Sequence, residues 1–136
     1  MIRTATERDY PAIARLQQKA PEAAQWPVGD YAGYEVLLAM IDGVPAGFCC
    51  WRQTMPDEAE LLNLAVDPAQ RRKGVGRALL QALEKAAAGT IFLEVAADND
   101  GALALYRAAG WEDVAVRRGY YHHGQTDAVV MKKRSC

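Results

Sequence analysis

A glycine-containing turn is the part of this sequence whose residue types point most directly to chemistry. Its residues, in order, are Arg71, Arg72, Lys73, Gly74, Val75, Gly76 and Arg77. Two glycines two positions apart let the backbone approach a phosphate closely, and amide N–H groups at the start of a helix attract negative charge. The basic side chains of the turn add positive charge. The turn therefore predicts a site for a phosphate-bearing ligand, although a basic turn that only caps a helix would share these features.

The turn differs from the two best-known phosphate motifs. It lacks the Gly-Lys-Ser/Thr ending of a P-loop. It also lacks the third glycine, and the acidic residue about twenty positions later, that a dinucleotide-binding fold uses. Neither motif therefore identifies the ligand.

Two further side chains have the chemistry for proton transfer. Glu94 lies within the apolar run 91–95, where a buried carboxylate is costly unless it has a role. Desolvation beside a ligand crevice would make it a stronger general base, whereas a solvent-exposed or arginine-paired glutamate would be structural. Tyr106 is surrounded by alanines and leucines, where most tyrosines are core residues, but a phenol also has a proton to donate. Asn99, between them, is a typical helix N-cap.

Apolar periodicity, caps and turns predict the elements that position these residues. We predict strands at 2–4, 34–41, 44–54, 58–66, 90–95, 111–118 and 127–133. We predict helices at 6–19, 74–88 and 99–109, the first opened by a capping box of Thr6 and Asp9. Asp42-Gly43 is a strong hairpin signal, and the segments 21–32 and 119–126 are expected to be loops.

The order of these elements predicts an α/β fold. The strand 58–66, the helix 74–88 and the strand 90–95 form a βαβ unit, so these two strands should be parallel neighbours. The whole order is that of a mixed sheet with helices on both faces. With 136 residues, the chain is expected to be a single domain, residues 1–136.

Composition argues against several classes of protein. Lys and Arg number 16 and Asp and Glu number 17, so no overall field would draw the chain to nucleic acid or to a membrane. No stretch approaches the roughly 20 apolar residues of a membrane span, and the N-terminus lacks the apolar core of a signal peptide. A soluble, cytoplasmic protein is therefore expected.

Residues with metal-binding or nucleophilic side chains form no motif. Cys49, Cys50 and Cys136 make neither a disulfide framework nor a metal site, and the first two alternate across a strand and should fill the core. His122 and His123 are adjacent in a predicted loop, with no third ligand spaced nearby. We therefore expect no metal.

Several motifs in the C-terminal half match one family in combination. They are Arg71-x-x-Gly74-x-Gly76 after residues 63–68, then Leu93-Glu94-Val95, Asn99, residues 104–111, and Arg117-Arg118-Gly119-Tyr120-Tyr121. Together they resemble the GNAT superfamily of N-acetyltransferases, most of all its RimI-type branch of ribosomal-protein alanine N-acetyltransferases, from Leu61 to Met131. The resemblance implies the GNAT fold, a mixed, mostly antiparallel sheet with helices on both faces and a central parallel βαβ unit.

The resemblance also implies a reaction. Acetyl-CoA would be the cosubstrate, and its acetyl group would pass to a primary amine by direct attack. Glu94 would take the proton from the substrate ammonium, through water, and Tyr106 would protonate the departing thiolate of coenzyme A.

The resemblance assigns the cofactor-binding residues as well. They are the turn residues 71–77, Asn99, and the backbone of Leu64, Ala65 and Val66. A strand that separates from its neighbour can bind the pantetheine amides as another strand would, whereas an ordinary buried strand has no free backbone groups to offer.

The acceptor is the least defined part of the reaction. By resemblance it is the N-terminal amine of a protein, an alanine of a small-subunit ribosomal protein, with Trp26, Tyr31, Tyr120 and Tyr121 lining its groove. The segment around Trp26 departs from the usual pattern of that branch. A small-molecule amine acetyltransferase of the same fold therefore stays open, as does a catalytically silent acyl-CoA-binding regulatory domain.

Overall fold

A β-sheet and the helices packed on it contain most of the residues that the computed structural model describes, 1–121 and 124–135. The strands are β1 (Ile2–Thr4), β2 (Glu35–Ile41), β3 (Val44–Met55), β4 (Glu58–Val66), β5 (Thr90–Ala96), β6 (Glu112–Tyr121) and β7 (Thr126–Arg134). The helices are α1 (Tyr10–Lys19), α2 (Val75–Ala86) and α3 (Asp100–Ala108), with 3-10 turns at Glu7–Asp9, Val28–Gly33 and Pro68–Gln70. The strand order is β1-β2-β3-β4-β5-β7-β6.

The pairing confirms the predicted mixed sheet. Within the described residues, β4 and β5 are parallel and the other neighbouring strands are antiparallel. Asp42 and Gly43 join β2 to β3 with φ values of 50° and 76°, as a two-residue type I′ turn requires. The Thr6 N–H donates to the Asp9 carboxylate at 2.8 Å, but a 3-10 turn precedes α1, which begins only at Tyr10.

Two apolar clusters hold the helices on opposite faces of the sheet. The α2–α3 cluster joins these two helices to strands β3, β4, β5 and β7, and the α1 cluster joins α1 and the turn at Val28–Gly33 to β2 and β3. Strand periodicity divides neighbouring residues between them, so Cys49 lies in the first cluster and Cys50 in the second. Burial raises the pKa of both thiols to about 12. Both cysteines are core residues, as predicted.

The loop predicted at 119–126 is wrong at both ends. β6 continues to Tyr121, whose backbone pairs with Thr126 of β7. Tyrosines favour extended backbone, and the register shifts between Arg117 and Tyr121, where Gly119 has a φ of 62°. Tyr120 and Tyr121 therefore belong to a strand.

The connection from α2 to β5 passes very close to the β3–β4 hairpin. The Gln53 side chain donates to the Ala88 carbonyl at 2.7 Å and accepts from the Ala88 N–H at 3.0 Å. Next to it, Gly89 has a φ of 83°, and a Cβ there would lie 1.7 Å from the Asp57 carbonyl oxygen. These contacts end α2 at Ala86, before its predicted end at Ala88.

We expect Gly89→Ala to lower the free energy of unfolding by at least about 2 kcal/mol, because alanine is strained at this φ and would collide with backbone. Gly101→Ala in α3 is the matched control, because its Cβ would meet nothing within 4 Å. It should be neutral or stabilise by up to about 1 kcal/mol. Chemical denaturation measures both, and equal stability of Gly89→Ala and the parent protein would contradict the close approach.

Candidate active site

β4 and β5 separate soon after they meet. Their ladder joins residues 58–60 of β4 to residues 90–92 of β5. Beyond these pairs, within the described sheet, β4 continues along β3 and β5 continues along β7. The edges that face each other are therefore open at the C-terminal ends of both strands.

A β-bulge lies where β4 leaves β5. Leu62 is outside the ladder, because the consecutive residues Cys50 and Trp51 pair with Asn63 and Leu61. The extra residue reverses the alternation of β4, so Leu61 faces the α2–α3 cluster and Ala65 faces the α1 cluster. Asn63 shares the orientation of Ala65.

The open edge of β4 presents the backbone of Leu64 and Val66. Alternate residues of an antiparallel strand direct their N–H and C=O groups to the same neighbour. The Asp67 N–H donates to the Ala46 carbonyl of β3 at 2.8 Å, so the backbone groups of Ala65 also point to β3. Those of Leu64 and Val66 point to the gap. Of the three residues predicted to bind through their backbone, Ala65 is thus engaged within the sheet.

The basic turn has the conformation of an anion site. Asp67 accepts a hydrogen bond from the Ala69 N–H at 2.9 Å, and Arg72 and Gly74 then adopt φ values of 66° and 77° before α2 begins at Val75. The first N–H groups of a helix have no carbonyl acceptor within it. A Cβ on Gly74 would meet nothing within 4 Å, so the backbone here is open to a ligand.

The basic side chains of the turn are exposed, and they are those of Arg71, Arg72, Lys73 and Arg77. Three of them have polar partners. Arg71 forms an ion pair with Glu22, and the Lys73 amine donates to Gln70 at 2.9 Å. Arg77 donates to the Ala108 carbonyl at 3.3 Å, at the end of α3. Their charge is available at the surface where α2 begins.

Gly76 packs against α3. It is buried, and a Cβ there would lie 2.9 Å from Cδ2 of Leu105 on α3. The missing side chain therefore makes room for a helix, and only the backbone of Gly76 can face a phosphate. Val75 is also buried in the α2–α3 cluster, so only its backbone can face a ligand.

Glu94 points away from the α2–α3 cluster. Leu93 and Val95, on either side of it, belong to that cluster, so strand alternation directs Glu94 to the opposite face. Its carboxylate lies 3.2 Å from the Arg117 guanidinium, and 31% of the side chain is exposed. The burial expected from its apolar neighbours is therefore incomplete.

Tyr106 lies on the other face of the sheet from Glu94. It is buried in the α2–α3 cluster, with its ring centroid 5.9 Å from that of Trp111. Its helix begins with the predicted cap, in which Asn99 accepts from the Ala102 N–H at 3.2 Å. The gap between β4 and β5 is an opening in the sheet between the face that carries Glu94 and the face that carries Tyr106.

The segment between α1 and β2 corrects one predicted acceptor contact. Tyr31 is 1% exposed, and its hydroxyl donates to Gln17 and accepts from Asn63. The prediction that it touches the acceptor is wrong, because its ring is enclosed. It instead supports Trp26, whose ring stacks on it at 5.0 Å between centroids.

Trp26 and Tyr120 are two predicted acceptor residues that reach the surface. Trp26 borders an open depression that Asp30, Gly33 and Tyr34 also line. Tyr120 is 53% exposed on β6, with its ring centroid 5.0 Å from the guanidinium carbon of Arg117. Tyr120 and Glu94 therefore share an arginine neighbour. Tyr121 follows on the same strand, and its backbone closes the β6–β7 hairpin.

Comparison with known proteins decides the family. The model of the acetyltransferase (GNAT) family matches residues 1–111. The chain belongs to this family. The [ribosomal protein bS18]-alanine N-acetyltransferase of Escherichia coli strain K12 is 38% identical over 134 residues, which cover 90% of this chain and 89% of that protein. N-alpha-acetyltransferase RimI of Mycobacterium tuberculosis is 44% identical over 91 residues, covering 66% of this chain and 58% of that protein.

Solved structures agree with the family. The crystal structure of the ribosomal-protein-S18-alanine N-acetyltransferase from Escherichia coli has a TM-score of 0.86 at 35% identity, covering 99% of this chain and 93% of that one. The predicted GNAT fold is thus confirmed, and the chain is an N-acetyltransferase. Enzymes of the GNAT family use acetyl-CoA as cosubstrate.

Two polar residues of this GNAT domain were missed by the sequence analysis. Gln17 and Asn63 are 5% and 6% exposed. Both form hydrogen bonds within the protein, and both bind the Tyr31 hydroxyl. The signal for Asn63 was available, since it interrupts the apolar run 61–66 as Glu94 interrupts 91–95. Gln17 gave no such signal, because glutamine is common on exposed helix faces.

The described residues of the GNAT chain contain neither a metal-binding group nor a membrane-spanning helix. Among residues 1–121 and 124–135, no three His, Cys, Asp or Glu side chains are grouped to hold a metal ion. His122 and His123 lie outside the described residues. None of the described helices is long and apolar enough to cross a membrane.

We expect Gly76→Ala to lower the free energy of unfolding by about 1–3 kcal/mol, because the new Cβ collides with Leu105. Leu105→Val shortens the opposing side chain, so the double variant should recover part of that loss, with a coupling of at least about 0.5 kcal/mol. Denaturant titrations of both single variants and the double variant measure the coupling. A double variant that regains stability but still loses acetyl-CoA affinity in calorimetry would support the prediction that Gly76 also contacts the ligand.

Proposed function

We propose that this N-acetyltransferase transfers the acetyl group of acetyl-CoA to the N-terminal α-amine of a protein. One observation carries the proposal: the gap between β4 and β5 opens beside Glu94 on one face of the sheet and beside the Tyr106 cluster on the other. An amine that enters from the Glu94 face and a thiol that leaves on the Tyr106 face would share that gap.

The described residues fit acetyl-CoA in three places. The exposed basic turn and the N-terminus of α2 suit a pyrophosphate. The Leu64 N–H already donates to Asn63, but the Leu64 carbonyl and the backbone of Val66 suit the amides of a pantetheine arm, which would pair with β4 as another strand does. Asn99, at the start of α3, would hold the same arm while it caps the helix.

Proton transfer in this mechanism runs in two directions. Glu94 accepts a proton from the substrate ammonium, directly or through one water, and releases it to solvent. The neutral nitrogen then attacks the thioester carbonyl carbon, so that a C–N bond forms and the C–S bond breaks. The sulfur leaves with its bonding electron pair and takes a proton from the Tyr106 phenol. The nitrogen loses its second proton to Glu94 or to water, and the Tyr106 phenolate regains a proton from solvent, so both side chains return to their starting state.

The acceptor assignment is supported by relatives and by the surface beside Glu94. Two relatives are named for an alanine of ribosomal protein bS18 and for N-alpha-acetylation. In this chain, Arg117 joins Glu94 to the exposed ring of Tyr120, and Trp26 borders a depression on the α1 side of the sheet. An extended peptide end has the shape to lie between such aromatic walls.

A panel of acceptors tests the assignment. We expect peptides with a free N-terminal alanine to be acetylated on the α-amine with a kcat/KM at least about 10-fold above that of lysine side chains, polyamines or aminoglycosides. Mass spectrometry locates the acetyl group, and the same peptides with blocked N-termini are the controls. A small amine that outperforms every peptide would make the chain a small-molecule acetyltransferase, and absence of turnover with all amines would make it a silent binding domain.

We expect Glu94→Gln to lower kcat/KM by roughly 100-fold near neutral pH, within the usual range for loss of a general base. Part of the loss should return as rising pH deprotonates the amine in solution. Tyr106→Phe should instead lower kcat at every pH without weakening acetyl-CoA binding. Steady-state pH profiles of the three proteins measure these effects.

Glu60→Gln is the matched control for Glu94→Gln. Glu60 is also a strand glutamate paired with an arginine, 3.0 Å from Arg52, and 38% of its side chain is exposed. Its loss should change kcat/KM by less than about threefold, because surface ion pairs contribute little. If Glu94→Gln behaves like this control across the pH range, the base lies elsewhere.

A further inference from the structure

Three buried polar side chains form a connected set beneath the segment that carries Trp26. They are Gln17 of α1, Tyr31 of the turn at Val28–Gly33, and Asn63 of β4. We refer to them as the Gln17–Tyr31–Asn63 network. Each is at most 6% exposed, in a cluster that otherwise consists of apolar residues. Buried polar groups fix one arrangement when they are fully hydrogen-bonded, so the network specifies where its partners lie.

Asn63 binds the chain after α1 as a neighbouring strand would. Its Nδ2 donates to the Ala24 carbonyl at 2.9 Å, and its Oδ1 accepts from the Ala24 N–H at 3.1 Å. Both backbone groups of Ala24 are thus held by one side chain of β4. No regular helix or strand covers residues 20–27 in the described structure, so these bonds dock the segment onto the sheet.

Gln17 binds both backbone groups of Trp26 in the same way. Its Nε2 donates to the Trp26 carbonyl at 2.9 Å, and its Oε1 accepts from the Trp26 N–H at 3.3 Å. The Tyr31 hydroxyl connects the two amides, since it donates to Gln17 and accepts from Asn63 at 2.9 Å. The backbone of Trp26 is therefore tied through Gln17 and Tyr31 to Asn63.

Asn63 also reaches the open edge of β4. Its Oδ1 accepts from the Leu64 N–H at 3.0 Å, and Leu64 is a residue whose backbone faces the gap between β4 and β5. One carboxamide thus contacts the segment that carries Trp26 and the edge proposed to hold the pantetheine arm. It sits immediately after the bulge at Leu62, where β4 turns away from β5.

We propose that Asn63 is a positioning residue, which sets the segment 20–27 and its Trp26 in register with the open edge of β4 so that acceptor and thioester meet. Asn63 acts through the Ala24 backbone and through Tyr31. The proposal rests on the acyl transfer proposed above. It assigns to the Gln17–Tyr31–Asn63 network a role in acceptor recognition in addition to its packing.

The test compares Asn63→Ala with Gln25→Ala. Gln25 also holds the segment, but its side chain donates to the carbonyls of Gln17, Ala20 and Ala23 and makes no bond to β4 among those described. We expect Asn63→Ala to raise the KM for the acceptor at least about 10-fold, with KM for acetyl-CoA and kcat at saturating acceptor within about threefold of the parent. Gln25→Ala should leave all three within about threefold.

Hydrogen exchange supplies a readout that is independent of turnover. The amides of residues 20–27 should exchange faster in Asn63→Ala, while those of α2 and β5 stay protected. A folded Asn63→Ala with an unchanged acceptor KM, or with equal increases in KM for acceptor and acetyl-CoA, would overturn the proposal.

Tyr31→Phe keeps the proposal testable if Asn63→Ala does not fold. It retains the ring that packs on Trp26 and Phe48 and removes only the hydroxyl that links Asn63 to Gln17. Its acceptor KM should rise at least about fivefold with acetyl-CoA affinity unchanged, because two buried amides lose a hydrogen-bond partner. No change in acceptor KM would again overturn the proposal. All KM values are measured with the amine that the parent enzyme acetylates best, so failure of the N-terminal assignment would not be mistaken for failure of the network.

Discussion

The need to satisfy backbone hydrogen-bonding groups is the constraint on which the candidate site depends. A strand inside a sheet pairs its N–H and C=O groups on both sides, and such groups are costly to leave without partners. β4 gives up its neighbour β5 after Glu60, so its later residues need other partners. Asn63 provides one for Leu64 within the protein, and a pantetheine arm has the amides to provide others. Opening the sheet therefore costs local stability and creates the place where a strand-like ligand fits.

In the proposed mechanism, the sheet also separates the chemistry into two sides. Strand alternation directs Glu94 to one face, while Leu93 and Val95 join the cluster that contains Tyr106 on the other. A base and an acid placed in one pocket would tend to exchange their proton with each other. Placed on opposite faces of a split sheet, they can act on the two ends of the reacting bond. The seven-stranded sheet of the described residues thus serves as a scaffold and as a partition.

Local signals in the sequence predicted those features that local physics decides. Asp42-Gly43 can adopt the two positive φ values of a tight hairpin, and Asn99 has the side chain that caps a helix. Other outcomes depended on contacts between distant segments. Tyr31 is enclosed because Gln17 and Asn63 supply partners for its hydroxyl, and no spacing in the sequence shows that. The gap between β4 and β5 was likewise visible only once the strand register was known.

The contact between Gly76 and Leu105 has a further consequence for which cosubstrates fit. Helix α2, which starts at the basic turn, contacts α3, which carries Tyr106, at Gly76, where α2 has no side chain that could move to change the spacing. The two helices are therefore fixed at one separation, and so are the turn and the phenol. In the proposed mode of acetyl-CoA binding, this separation sets the span between the diphosphate and the sulfur atom. By that proposal, a thioester on a shorter or longer arm would bind the turn and leave its sulfur out of reach of the Tyr106 proton.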